Sequence, residues 1–265
     1  MNAPYGALPA AIDAAHAAGA VLMRGWGHAG EPSSKAAEVD LVTEYDGLAE
    51  AAIVDVLRAR FSDHSILAEE GGARPGDERF RWVVDPLDGT VNFAHGLPLF
   101  SVSIALEVDG EAALGVVLAP VLAREFVAVR GGGATQNGQP IHSSRQSRLS
   151  RAMLATGFPY DRRTSPENNF DNFLAFQTRA GAVRRLGAAS LDLCFVACGW
   201  LDGYWEMKLK PWDVAAGELI VREAGGKTSD FDGGAPRPES IVASNGLVHD
   251  DILAVLREVR DARVL

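Results

Sequence analysis

This 265-residue chain has little cysteine, no long apolar run and no excess of basic charge. Its 2 cysteines, Cys194 and Cys198, lie four residues apart in an apolar helical stretch. That spacing on one helix is poor disulfide geometry, and no other Cys or His cluster completes a zinc site. They read as buried, reduced thiols in a reducing compartment. No stretch reaches the roughly 18 apolar residues that a membrane span needs, so no membrane partner is expected. The start, Met1-Asn2-Ala3-Pro4, lacks the basic region and cleavage site of a signal peptide, and the expected location is the cytoplasm. With 25 Lys and Arg against 35 Asp and Glu, the net charge is -10. Non-specific nucleic-acid binders are normally basic, so nucleic acid is not an expected partner. A phosphate substrate stays open if cations reverse the local field. Gly131-Gly132-Gly133 is not followed by Gly-Lys-Ser/Thr, which leaves a hairpin loop rather than a phosphate loop.

What is present suits a folded protein: 47% hydrophobic and 23% charged residues,. The length fits one large domain or two that share an interface. Ile12, Ala15, Gly19 and Leu22 recur at helical spacing, which predicts a helix over Pro9 to Met23. A second is predicted over Tyr45 to Phe61, with Leu48, Ala52, Val56 and Leu57 on its apolar face and Asp46 at its start. Ser65 to Ala68, Phe80 to Val84, Ser101 to Val108, Ala113 to Leu118 and Glu125 to Val129 read as strands. Asp109-Gly110 and Asn137-Gly138 mark hairpins. The first half is thus an antiparallel sheet with two helices. Ser143 to Ser150, a polar run whose Arg145 and Arg148 (with Arg151 just beyond) read as solvated, marks a boundary between units 1–145 and 146–265. Beyond it strands and helices alternate, as in an α/β layer. Helices are expected over Asn168 to Arg179, Ala188 to Cys198, Val214 to Ala224 and Leu247 to Arg257. Strands are expected at Ala152 to Thr156, Val183 to Leu186, Gly203 to Glu206, Lys227-Thr228 and Ser240 to Ala243.

Chemistry concentrates at Asp85-Pro86-Leu87-Asp88-Gly89-Thr90, which closes the apolar run Trp82-Val83-Val84 and reads as a tight turn at a strand end. Two acids this close repel, and a divalent cation is the usual remedy. Gly89 lets backbone N–H groups approach a ligand. Asp-Pro and Asp-Gly are also ordinary turn chemistry, so both readings stand on this segment alone. Three more segments join it: Asp40 to Asp46 with Lys35 upstream, Ile66 to Gly72 ending its strand in Glu69 and Glu70, and Lys210 to Gly217 around Asp213.

Together, in their order along the chain, the four segments resemble the signatures of the inositol monophosphatase family, lithium-sensitive metal-dependent phosphatases. The resemblance runs from about Ala10 to Leu256. It implies a layered αβαβα sandwich and a homodimer. It also implies hydrolysis of inositol monophosphate, or a similar polyol phosphate, by a magnesium-activated water. Two to three Mg²⁺ ions would be held by Glu69, Asp85, the Leu87 carbonyl, Asp88 and Asp213. Thr90 and Asp46 would orient the water, with Glu69 as a further catalytic group. Gly89, Thr90, Ala189, Glu206 and Asp213 would contact substrate, Ala189 within the turn Gly187-Ala188-Ala189-Ser190. Lys35 matches a family Lys near the metal loop, or is a surface Lys. Glu70 reads as a supporting or surface acid, and His95 as a loop residue. For Asp213 a helix N-cap and a metal ligand are compatible readings. Relatives acting on histidinol phosphate, fructose 1,6-bisphosphate or a phosphoadenosine nucleotide are the alternative enzymes. A regulatory binding protein that retains the fold is the alternative of another class.

Overall fold

The computed structural model describes residues 3–27, 33–34 and 41–263. Lys35 and Asp40 lie outside the described residues. Helix α1 (Ala7–Gly25) is followed by the short strands β1 (Ser33–Ser34) and β2 (Leu41–Val42), then α2 (Glu44–Arg60). Next come β3 (His64–Ala68), β4 (Gly72–Arg74), β5 (Asp77–Asp88), the single turn α3 (Thr90–Ala94), β6 (Ser101–Val108), β7 (Glu111–Ala119), β8 (Arg124–Val129), β9 (Ala134–Gln136) and β10 (Gln139–Pro140). The second half holds β11 (Met153–Thr156), α4 (Phe170–Gln177), β12 (Ala182–Arg184), α5 (Ala189–Ala197), β13 (Gly203–Met207), α6 (Pro211–Glu223), β14 (Lys227–Ser229), β15 (Ser240–Ser244) and α7 (His249–Arg263).

The first sheet has 8 strands in the order β10-β9-β8-β7-β6-β5-β3-β4. It is antiparallel except where β3 runs parallel to β5, a departure from the all-antiparallel expectation. Asp109 and Gly110 join β6 to β7 with φ of 53° and 79°, the two left-handed residues of a primed hairpin turn,. Strands β6 and β7 are buried almost throughout, because helices cover both faces of the sheet,. The second sheet has 5 strands in the order β12-β11-β13-β15-β14. There β11 runs parallel to β12 and β13, while β15 is antiparallel to β13 and β14.

Five layers result, as the resemblance implies: α1 and α2, the large sheet, α5 and α6, the small sheet, then α4 and α7. Each gap is an apolar core. In the first, Leu22 and Leu57 pack on Ile104 and Val116. In the second, Val83, Ala105 and Val117 of the large sheet share one core with Leu193, Ile220 and the small sheet's Tyr204 and Ile241. Phe176, Trp205 and Ile252 build the third. Helix α6 lies so near β7 that a Cβ on Gly115 would stand 2.9 Å from the Ala216 carbonyl oxygen. Among the described residues no helix is long and apolar enough to cross a membrane.

The inward face of α2 departs from expectation only in part: Leu57 is buried and Ala52 and Val56 pack against the core, as the spacing predicts. Ala49, Ile53 and Leu57 point into the core together with Asp46 and Glu50, while Leu48 is 51% exposed. Buried acids need partners, and those partners belong to the site.

Candidate active site

The Asp85–Asp88 segment is a bulge within β5 rather than a turn after it. Asp85 pairs with Ser103 and Asp88 with Ser101, and the register shifts between them. Pro86 has no N–H to give a ladder, so it belongs where the pairing is broken. Asp85 is buried, and its Oδ1 accepts the Leu87 N–H at 2.9 Å. Gly89 follows with φ +91°, and a Cβ there would meet the Leu99 carbonyl oxygen at 2.9 Å. Both facts demand glycine. The chain then turns into α3, whose first residue is Thr90.

Helix α2 delivers Asp46 to that point. Thr43 caps the helix by accepting the Tyr45 N–H at 3.2 Å, and Asp46 Oδ2 accepts the Thr43 N–H at 2.8 Å. This is a reciprocal capping box,. The other oxygen, Oδ1, lies 3.0 Å from Thr90 Oγ1, which also lies 3.0 Å from the Leu87 carbonyl oxygen. Asp46 is thus both the helix-start acid and the partner of Thr90.

Asp88 faces the start of α5, whose N-cap residue Ala188 has no side chain able to cap. The Asp88 carboxylate caps it from across the core. It accepts the Ala189 N–H at 3.2 Å, the Ser190 N–H at 2.7 Å and the Ser190 hydroxyl at 2.6 Å. Asp213 is not the N-cap of α6 but its third residue, since the helix starts at Pro211. Its Oδ2 accepts the Lys210 N–H at 2.7 Å. Glu69 follows β3, and its own N–H bonds the Val84 carbonyl at 3.2 Å.

These acids sense one another. Burial, then the charges of Glu69, Asp88 and Asp213, hold the Asp85 carboxyl well above its ordinary range. Burial and Asp88 do the same to Asp213. For Asp88, burial raises the pKa while the Ser190 bonds pull it back. Among the described residues no three acid, His or Cys side chains are already gathered into a metal shell. Asp88 and Asp213 rest on backbone N–H groups instead. The donor set is all oxygen and mutually repelling, which suits a hard divalent cation such as Mg²⁺ and not a soft metal.

Glu69, Asp88, Gly89, Ala189, Glu206 and Asp213 line one cleft of about 280 Å³. Arg185, Lys208, Lys210 and Tyr160 also line it. The structure therefore brings the expected metal and substrate residues together, with Asp85 buried beside them and the Asp46–Thr90 pair tied in through Leu87. Glu206 accepts the Tyr204 hydroxyl at 2.5 Å. Burial lifts the Glu206 carboxyl to about 7 against the pull of that bond. Asp192 on α5 is buried as well, with Oδ1 unpartnered, and burial and the Glu206 charge hold its pKa far up. Sequence reasoning missed Ser190's bond to Asp88, Asp192, Tyr204 and Arg185. The signals were an acid in an apolar helix and a Tyr two residues from Glu206. The triple-glycine loop serves the fold: Gly131 and Gly133 donate N–H bonds to Glu223 at 2.8 and 2.9 Å. Both cysteines are free thiols.

The model of the inositol monophosphatase family matches residues 7–261. An inositol-1-monophosphatase from Synechocystis is 44% identical over 94% of this chain and 88% of its own. The Nus factor SuhB of Escherichia coli is 42% identical over 95% of this chain and 96% of its own. The solved inositol monophosphatase from Anabaena superposes with a TM-score of 0.87 at 42% identity, covering 95% of each chain. The chain belongs to the inositol monophosphatase family and is a phosphatase of that family.

Proposed function

We propose that this phosphatase hydrolyses inositol monophosphate, or a similar polyol phosphate, with Mg²⁺ as cofactor. The observation that carries the reading is the cleft whose wall joins Glu69, Asp88 and Asp213 to Glu206. Glu69, Asp85, the Leu87 carbonyl, Asp88 and Asp213 would hold two to three ions. With the boundary placed near residue 145, all but Asp213 come from the first unit. Bound Mg²⁺ would neutralise charge on the phosphoryl oxygens and make a water more acidic. The protein's own groups do the rest. Thr90 can give its proton to Asp46, 3.0 Å away, which leaves its lone pairs to receive and aim a water,. Gly89 and Thr90 open α3, where their backbone N–H groups would meet the phosphate. Glu206 and Ala189 line the wall that would face sugar hydroxyls.

Arg185, Lys208 and Lys210 on the same cleft keep fructose 1,6-bisphosphate and phosphoadenosine nucleotides in view, since each carries a second phosphate. Histidinol phosphate is the remaining enzyme alternative. Relatives named Nus factor SuhB favour a second, regulatory role beside the catalytic one. The reading also proposes a cytoplasmic, lithium-sensitive homodimer. The test is phosphate release from these four substrate types with Mg²⁺ and with excess EDTA. Inositol monophosphate should be turned over best, and only with metal. Full turnover in EDTA sinks the metal reading.

A further inference from the structure

Glu50 is 3% exposed on α2, one helical turn after Asp46. Its Oε2 accepts the Glu70 N–H at 2.8 Å. The Gly71 N–H reaches Oε1 at 3.0 Å and Oε2 at 3.1 Å. Arg74 Nη2 donates to Oε1 at 2.8 Å. A buried carboxylate is costly unless its oxygens are filled. Here they are filled by the backbone of the two residues that directly follow Glu69. The fit is close: a Cβ on Gly71 would stand 2.5 Å from Glu50 Oε1 and 2.6 Å from Arg74 Nη2. Glu69 is thus anchored on one side by its N–H bond to Val84 and on the other by Glu50.

We propose that Glu50 is a positioning residue: it fixes the loop after β3 so that the Glu69 carboxylate stands ready for a divalent cation. The inference rests on the metal-dependent reading. Asp46 and Glu50 share the buried face of α2, so one helix sets both the Thr90 hydroxyl and the Glu69 carboxylate. Supporting partners of this kind typically alter metal affinity about 10–100-fold. Arg74 is the lesser part, since three of the four bonds to the Glu50 carboxylate come from the Glu70 and Gly71 backbone and the Arg74 side chain is 38% exposed.

The test uses the full-length protein and titrates Mg²⁺ calorimetrically without substrate. The Mg²⁺ concentration for half-maximal phosphate release and the metal-free melting temperature are measured alongside. Glu50→Gln puts an amide N–H₂ against backbone donors. It should weaken Mg²⁺ binding and raise the half-activating concentration about tenfold, with kcat restored at saturating Mg²⁺. Gly71→Ala presses a Cβ against the Glu50 carboxylate and the Arg74 guanidinium, breaking their seat on the loop with the Glu50 charge retained, and should move both in the same direction, which keeps the test alive if Glu50→Gln folds poorly. Arg74→Ala leaves the three backbone bonds in place and should shift Mg²⁺ affinity less than the about tenfold of Glu50→Gln,. Variants that melt lower yet bind Mg²⁺ with wild-type affinity would show that Glu50 serves only the fold. A wild-type protein that binds no Mg²⁺ would instead overturn the metal reading, and this inference with it.

Discussion

Replacing Asp88 by Asn separates two duties that one carboxylate combines. Asp88 caps α5 through Ala189 and Ser190 and stands among the candidate metal ligands. The Asn oxygen can keep both Ser190 bonds, at 2.7 and 2.6 Å in the wild type. Its amide N–H₂ then faces the Ala189 N–H and loses the 3.2 Å bond. Loss of a negative charge at a helix N-terminus costs about 0.3–1 kcal/mol, and a neutral acceptor for a charged one about 1 kcal/mol more. Against this, burial penalises the Asp88 charge, and that charge raises the pKa of Asp85 and Asp213. The opposing terms leave stability within about 1 kcal/mol of wild type, a melting shift of about 2–4 °C at most. Turnover has no such offset. Removing a charged ligand should cost it about a hundredfold or more, roughly 2.7 kcal/mol of barrier. Phosphate-release kinetics at saturating Mg²⁺, run beside melting curves, check both numbers. Asp88→Ala adds a control. It strands the α5 N–H groups at about 1–3 kcal/mol each, so it should melt well below Asp88→Asn. An Asn enzyme with near-normal turnover would refute the site, and equal melting of Asn and Ala would refute the cap.

Thr90→Ala should lower kcat far more than it changes KM, because a hydroxyl that only aims water acts mainly in the transition state; a raised KM with kcat intact would make Thr90 a phosphate contact. Glu206→Gln should cost about 1.5–3 kcal/mol of kcat/KM on inositol monophosphate and little on an aryl phosphate. With its carboxyl lifted to about 7, Glu206 gains protons as pH falls through 7, so wild-type preference for inositol monophosphate should fade there and stay flat in the variant. Equal losses on both substrates would tie Glu206 to the metal or the fold instead. Buried His249 has its pKa lowered to about 4 by burial and by Lys227. Ser229 gives its proton to the Asp230 carbonyl and so accepts from Nε2, which leaves Nδ1 to accept from Ser244 and the ring neutral. Only the unfolded chain protonates readily at the ordinary 6.5, so this stability is present above 6.5 and lost as pH falls towards 4, about 2 kcal/mol after screening,. Denaturant melts of wild type and His249→Gln at pH 7.5 and pH 5, as about neutral and acidic conditions, should show the steeper acid loss in wild type; parallel losses would remove His249 as the cause.

The site acids were legible because chemistry fixed their local pattern: Asp85, Asp88 and Thr90 sit on one short segment, and Glu69 ends a strand. Their local geometry was less so. Asp85–Asp88 looked like a turn because Pro and Gly punctuate it, yet Ser101 and Ser103 hold both acids in a paired strand. The start of α6 was placed three residues late, although Pro211 at the first helical position was a signal,. Glu50 and Asp192 were invisible for another reason. An acid on a helix normally faces water, and only the packed loop around Glu50, or the core around Asp192, makes it otherwise. The outward turn of Leu48 on α2 escapes the sequence in the same way, because propensity and periodicity carry no record of tertiary partners,.

The middle layer has a consequence for how the chain is made. Val83, Ala105 and Val117 have no cover until α5 and α6 have been synthesised. A ribosome that has completed the large sheet therefore displays an apolar face and three of the four clustered acids, with the fourth, Asp213, still to come. Such a face is the kind of surface on which nascent chains aggregate or recruit chaperones. Folding and assembly of the candidate metal site should finish as one late event, and a chain truncated before α6 should neither bind Mg²⁺ nor stay in solution unaided.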